Sequence, residues 1–159
     1  MYLNCKTNYS FRYGTFFTEE LVKAGVAIGA TALALTNINA TPDAWDFFLH
    51  CQKEGIKPVL GAEIRNGNKF LYILLAKNNQ GFALINRFLS DHLQSETPFP
   101  ERPGFDSNVV TVYPFEAIHW ANLMINELIG IQPSEVNKLI QIPLTPVRNK
   151  LVIRQPVTF

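Results

Sequence analysis

Histidine and cysteine are scarce in this chain, with three and two residues respectively in 159. The cysteines, Cys5 and Cys51, have neither CxxC nor zinc-finger spacing, so neither a disulfide framework nor a structural zinc site is written here. They are expected to be buried free thiols in a reducing cytoplasm. Charge of one sign is lacking too. Fourteen Lys and Arg against 13 Asp and Glu leave a net charge of +1. The basic residues form no stripe, so the balance demands neither nucleic acid nor a membrane surface as partner. No window reaches the roughly 18 apolar residues that cross a bilayer. Met1-Tyr2-Leu3-Asn4 opens without the basic and apolar regions of a signal peptide. The expected location is the cytoplasm.

What is present is the composition of a globular domain: 47% hydrophobic and 17% charged residues. At this length the chain fits one domain, residues 1–159, with a core of its own. Strand and helix signals alternate. Tyr2–Lys6 reads as a strand, followed by a turn at Tyr13-Gly14. A helix follows, with Thr18 as N-cap, Glu19 and Glu20 in its first turn, and Gly29 past its end. Ala32–Thr36 is a short apolar strand. The next helix is capped by Thr41, starts at Pro42 and ends at Gly55. Pro58–Ile64 and Lys69–Ala76 flank Asn66-Gly67 and predict an antiparallel hairpin. Phe82, Ile85, Phe88 and Leu89 mark a third helix. Gln94–Ser107, with Pro98, Pro100, Pro103 and Gly104, is expected to run as a surface connection. Asn108–Tyr113 reads as a strand, Glu116–Ile129 and Pro133–Ile140 as helices, and Leu151–Phe159 as a last strand. The β-α-β-α-β order implies parallel strands with right-handed crossovers.

In such a sheet the C-terminal strand ends converge and build the site. Here they carry Asn4, Lys6, Asn37 and Glu63. Zinc and manganese need converging imidazole, thiolate or carboxylate, and a protonated lysine offers no lone pair. His50, His92 and His119 all fall in predicted helices and read as structural.

Several stretches together resemble the N-terminal polymerase-and-histidinol-phosphatase (PHP) domain of bacterial DNA polymerase III alpha subunits. They are Tyr9-Ser10-Phe11-Arg12-Tyr13-Gly14, Glu19-Glu20-Leu21, Ala32-Leu33-Ala34-Leu35-Thr36-Asn37, Gly55-Ile56-Lys57-Pro58 with Gly61 and Glu63, and Leu75-Ala76-Lys77-Asn78-Asn79-Gln80-Gly81. The resemblance runs in register from about residue 2 to 90. Beyond residue 94 it is thinner, although Lys150–Phe159 is similar to a late strand of that domain. It implies an α/β fold, part of a distorted (βα)7 barrel, with mostly parallel strands and one hairpin. It also implies a metal cluster at the strand ends in competent members. The positions that hold ligands there are occupied here by Asn4, Lys6, Tyr13, Asn37, Ile38, Glu63 and Thr158, of which only Glu63 can ligate. No catalytic, cofactor-binding or intact metal site is therefore expected.

A buried, unpaired Glu63 would be costly. Either Lys6 pairs with it, supported by Asn4 and Asn37, as a plug of the barrel mouth, or both side chains reach water. Cys51 has no identifiable base, and Asp43 and Asp46 read as helix N-terminal charges. Phe11, Tyr13, Phe16 and Phe17 read as core or protein interface ahead of a stacking surface for single strands.

The resemblance implies a non-catalytic scaffold within a DNA-directed DNA polymerase of replication or repair synthesis. The Mg²⁺-holding aspartates of such an enzyme lie in a palm domain C-terminal to this stretch. Implied partners are the rest of the polymerase chain, DNA through it, and a proofreading exonuclease subunit. The alternatives are an active metal-dependent phosphoesterase or 3′–5′ exonuclease, and a free-standing binding module. The chain is expected to supply only part of a barrel, leaving Leu151–Phe159 as an exposed edge. Self-association through that edge, or a rearranged compact sheet, should follow.

Overall fold

Short apolar runs separated by glycine turns set the scaffold. In the computed structural model, residues 1–117, 122–141 and 148–157 are described. Strand β1 (Tyr2–Cys5) leads to helix α1 (Thr18–Ala27), β2 (Ala32–Leu35), α2 (Ala44–Lys53) and β3 (Lys57–Asn66). Gly29 and Gly55 follow the two helices at φ of +69° and +70°, the left-handed geometry expected of them. β1, β2 and β3 pair in parallel. β4 (Lys69–Ala76) returns antiparallel to β3 through the predicted hairpin, with Gly67 at φ +57° as the first of two turn residues. Helix α3 (Asn79–Gln94) then leads to β5 (Val109–Pro114), β6 (Glu127–Ile131), β7 (Leu151–Ile153) and β8 (Pro156–Val157).

Two helix caps differ from expectation. Phe17, not Thr18, occupies the N-cap of α1, and Thr18 spends its hydroxyl on Asp43. Asp43, not Thr41, precedes α2, and Thr41 instead donates to Asn86. In both cases a tertiary hydrogen bond outcompetes the local cap.

The helix expected over Glu116–Ile129 is overturned at its C-terminal end, where Glu127–Ile131 forms β6, parallel to β5. Asn126 fixes its entry by donating to the carbonyls of Phe105, Asp106 and Val109. His119 lies outside the described residues. The expected short helix after Pro133 is a 3-10 helix over Pro133–Gln141. The connection after α3 is mostly exposed, but it does not stay at the surface throughout. Phe99 is buried in the core beside Phe88, held by two hydrogen bonds between its backbone and Asn66.

The sheet order is β7-β6-β5-β4-β3-β2-β1-β8. Only Arg154 and Gln155 separate β7 from β8, so one kinked segment pairs with β6 on one side and β1 on the other. The edge expected to stay exposed at Leu151–Phe159 is therefore paired through residue 157, on both of its sides. Counted as one strand, that segment makes a seven-membered curled sheet in which β4 alone runs antiparallel. This is a barrel-like α/β fold of the kind the sequence implied.

Apolar clusters on both faces of the sheet hold it. α1 and α2 pack Leu21, Val22, Phe47 and Cys51 on the outer face of β1 and β2. α3 lays Ile85 and Leu89 over β3–β5. Leu3, Ala34, Ile73 and Val112 meet one another from β1, β2, β4 and β5, which is possible only on the concave inside. Four residues of β1 span three of β2 (Tyr2 opposite Leu33, Cys5 opposite Leu35). This irregularity lets Leu3 point inward and Cys5 outward.

Candidate functional site at the barrel mouth

The strand ends do converge. Beyond β1 the Lys6 ammonium donates to Asn4 Oδ1 at 2.7 Å and pairs with Glu63 Oε2 at 2.7 Å. Both charged side chains are 1% exposed, so the alternative in which they reach water is excluded. Thr36 also donates to Asn4 Oδ1, at 3.0 Å. The second oxygen of Glu63 accepts from Arg65 Nε at 2.5 Å. Arg65 stacks its guanidinium over Tyr13, 4.2 Å from the ring centre. Arg154 enters the same interior from the kink between β7 and β8, its guanidinium 4.6 Å from the ring centre of Phe70.

Electrostatics follow from this geometry. Burial alone would raise the Glu63 carboxyl, but Lys6 and then Arg65 outweigh it, and the net shift is downward. Burial lowers the Lys6 ammonium, Glu63 opposes that, and Arg65 adds repulsion, leaving it net lowered. The partners shift differently because the carboxylate has two cations and the ammonium has one anion. Arg154 is lowered by burial and by repulsion from Arg65, against attraction from Glu135 and Glu63.

Asn37 does not support the ion pair through its side chain. That amide belongs to a second buried network. Its Oδ1 accepts from Thr7 N–H and Ser10 Oγ, and its Nδ2 donates to Asp43 Oδ1 at 2.8 Å. Asp43 Oδ2 accepts from Thr7 Oγ1 and Thr18 Oγ1 at 2.7 and 2.9 Å. The network ties the loop after β1 to the starts of both helices. Only backbone links Asn37 to the mouth: its carbonyl accepts from Glu63 N–H. Asp43 stands at the N-terminal end of α2, as expected, but is buried and hydrogen-bonded there, whereas Asp46 in the first turn is exposed.

Ile38 bridges Glu63 through backbone alone, Tyr13 meets the site only as the platform for Arg65, and Thr158 lies outside the described residues. Arg65 and Arg154 are absent from the sequence-derived candidates. Arg65 sits two residues after Glu63 on β3, so the period of two places it on the same face. Arg154 sits in the kink between two short strands, which no periodicity announces.

The donor set does not fit a divalent metal. Both oxygens of Glu63 are bonded to cations, Lys6 presents protons, and among the described residues no three His, Cys, Asp or Glu side chains converge. His92 stacks on Phe99, with ring centres 5.0 Å apart and Nδ1 2.9 Å from the Phe88 carbonyl, and is structural. Burial pushes the Cys5 and Cys51 thiols up to about 12, which leaves them unreactive near neutrality. Of the aromatic set, Phe16 packs on the core, whereas Phe11 and Phe17 are 81% and 63% exposed. Among the described residues no helix is long and apolar enough to cross a membrane.

Comparison with known proteins agrees with this architecture. The family model for the PHP domain matches residues 3–131. An error-prone DNA polymerase of Anaeromyxobacter sp. (strain K) is 31% identical over 123 residues, covering 73% of this chain and 11% of that protein. The DNA polymerase III subunit alpha of Mycoplasma genitalium is 30% identical over 92 residues, covering 55% of this chain and 10% of its own. The chain thus spans about a tenth of the length of these relatives. Among solved structures, an amidohydrolase from Chromobacterium violaceum, with bound sulfate and no metal, matches at a TM-score of 0.57 and 12% identity. The match covers 99% of this chain and 86% of that one, and it speaks for the fold. The family match over most of the chain and the homology to the polymerases agree: this chain belongs to the PHP domain family.

Proposed function

We propose that this chain is the PHP-like domain of a bacterial DNA polymerase of the polymerase III alpha or error-prone type, and that it serves there as a non-catalytic scaffold. The observation that carries this is the Lys6–Glu63 pair, which fills with an ammonium the place where a metal-dependent relative would need converging ligands. Nucleotide addition, with its Mg²⁺, would belong to a palm domain elsewhere in the polymerase. The domain would brace that polymerase and present a face to a proofreading exonuclease subunit, reaching DNA only through the larger chain. The homology to much longer polymerases supports the first part of this reading.

Titration of the purified chain with Mn²⁺ or Zn²⁺, followed by a phosphodiester hydrolysis assay, tests the non-catalytic role. The expected result is neither stoichiometric metal binding nor turnover. Metal-dependent hydrolysis that disappears in Glu63→Gln would establish the phosphoesterase or 3′–5′ exonuclease reading instead. The polymerase assignment is tested in the genome. The reading frame that contains this chain should continue into a polymerase sequence with paired palm aspartates.

A further inference from the structure

The outer face of the sheet is not covered evenly. β3 and β4 are joined by a hairpin, where a parallel pair would need a crossover, so no helix arises between them. α2 packs over β1 and β2, and α3 over β3–β5. The two helices are tied together where Thr41, just before α2, donates to Asn86 of α3 at 2.6 Å. Away from that tie the start of β3 lies open between them. Ala62 and Ile64 are buried under α3, whereas Pro58 and Leu60, on the same face of the strand, are only half-buried.

α2 borders this gap with a second apolar row. Phe47 and Cys51 face the core, yet Trp45, Phe48 and Leu49 follow one another at helical spacing on another side. Trp45 stacks on Phe48, with ring centres 5.6 Å apart, and is 68% exposed. A helix apolar on two sides is ordinarily covered on both. Phe48, Pro58 and Leu60 meet Phe82 of α3 around a cleft of about 180 Å³, room for a large apolar side chain. The charge beside it has one sign. Lys77 lines the cleft, no Asp or Glu does, and Lys57 stands exposed just before Pro58. Among the described residues neither lysine is in an ion pair. The acids of α2 sit on its other flank. Glu54 lies near Lys23 of α1, and Asp46 shares a stripe with His50 and Lys53, which lie near Glu19 of α1.

We propose that the cleft between α2 and α3 is a docking site for an acidic peptide segment of a partner protein. The segment inserts one large apolar side chain against Phe48, Leu60 and Phe82, and its carboxylates meet Lys57 and Lys77. Trp45 forms the rim and is covered on binding. Charge complementarity selects this occupant. A second copy seated face to face would set lysine against lysine. Two lysines make no track for a nucleic-acid backbone, and an aliphatic floor gives bases no row of rings to stack on. The site lies at the start of β3, away from Glu63 and the barrel mouth.

Selection from a random peptide library displayed on phage, with the whole chain as bait, tests this. Enriched peptides should share a Phe, Leu or Trp flanked by Asp or Glu. Calorimetry of the synthesised peptide should show one-to-one binding, with a blue shift of tryptophan emission that is absent in Trp45→Phe. Trp45→Ala, and Lys57→Glu combined with Lys77→Glu, should each weaken binding about tenfold or more. All three side chains are exposed, so the circular dichroism spectrum should not change. Should the double variant fail to fold, Lys77→Glu alone takes its place with the same expected direction. Arg12→Glu, an exposed charge reversal in the loop after β1, should leave the affinity unchanged. No enrichment, enriched peptides without acidic residues, or unchanged affinity in the folded cleft variants overturns the proposal. Displacement of the peptide by oligo(dT) at comparable affinity assigns the cleft to nucleic acid and overturns it too. A concentration-dependent dimer that Trp45→Ala abolishes assigns the face to a second copy, with the same consequence. The Lys6–Glu63 pair and the polymerase assignment stand or fall separately from all of these outcomes.

Discussion

Glu63 holds two cations that have little else to hold. Replacing it with glutamine leaves the buried Lys6 ammonium without its anion, and removing one partner of a buried pair costs about 3–5 kcal/mol. Glu63→Gln should therefore lower the urea midpoint far more than Lys6→Met, because in the latter Arg65 still bonds to the carboxylate. Equal losses in the two variants would show that Arg65 does not compensate. The same carboxyl gives a pH dependence. Its folded pKa lies below the ordinary 4.5, so the unfolded chain binds the proton first as pH falls. Stability from this group is complete above about pH 4.5 and drains away below it. Unfolding midpoints between pH 6 and pH 3 should show that loss in the parent and a flatter profile in Glu63→Gln. Much of this residue-scale picture was legible beforehand. That Lys6 can meet Glu63 follows from strand ends that converge, though their reaching water stood open beside it, and Arg65 was missed although alternation places it on the face of Glu63. The direction of Asn37 was not legible, because it lies past the last residue of β2, where the strand period no longer sets which way a side chain points.

Among the elements, Asp43 joins the most pieces. It accepts from Thr7, Thr18 and Asn37, and so couples the loop after β1 to α1 and α2. Asp43→Ala leaves the Thr18 hydroxyl without its acceptor, while Thr7 and Asn37 keep each other, and should cost about the 1–3 kcal/mol of a buried polar group left unbonded. Asp46→Ala, on the exposed side of the same helix, should stay within about 0.5 kcal/mol of the parent. Thermal melts of the two variants check the contrast. Gly61 offers a second test, in β3. A Cβ there would lie 2.1 Å from the Leu74 carbonyl oxygen on β4, so Gly61→Ala must push the hairpin strands apart. Loss of amide protection along Gly61–Ile64 and Ile73–Leu75 is the expected signature in hydrogen exchange. The hairpin and the glycine-terminated helices were written locally, in dipeptides and caps. β6 was not. Leu128, Ile129 and Ile131 fit a helical face as well as a strand, and the choice was made by Asn126 and Glu127 bonding to the connection after α3 and to Tyr113 on β5.

For the molecule as a whole, closure depends on seven residues. Leu151–Val157 pairs with β6 at one end and with β1 at the other. Deleting residues 151–159 would bare both edges at once, and bare edges recruit other strands. The truncated chain should sediment as concentration-dependent oligomers or lose its cooperative transition, while the parent keeps one. A truncated chain that stays monomeric and melts cooperatively would show that the closing segment is dispensable. The sequence announced the curled α/β arrangement but not its closure, because two strands of three and two residues are too short to carry a pattern.

That closure also sets a timetable for synthesis. Asn4 is opposite Pro156 in the finished sheet, so nearly the whole chain separates two neighbouring strands. At about 5–20 residues per second, β1 waits on the order of ten seconds for β8 to be made. Throughout that interval the nascent chain exposes one face of its first strand to whatever emerges beside it. The codons for Pro156 and Val157, more than those of any core residue, set when this sheet can close on the ribosome.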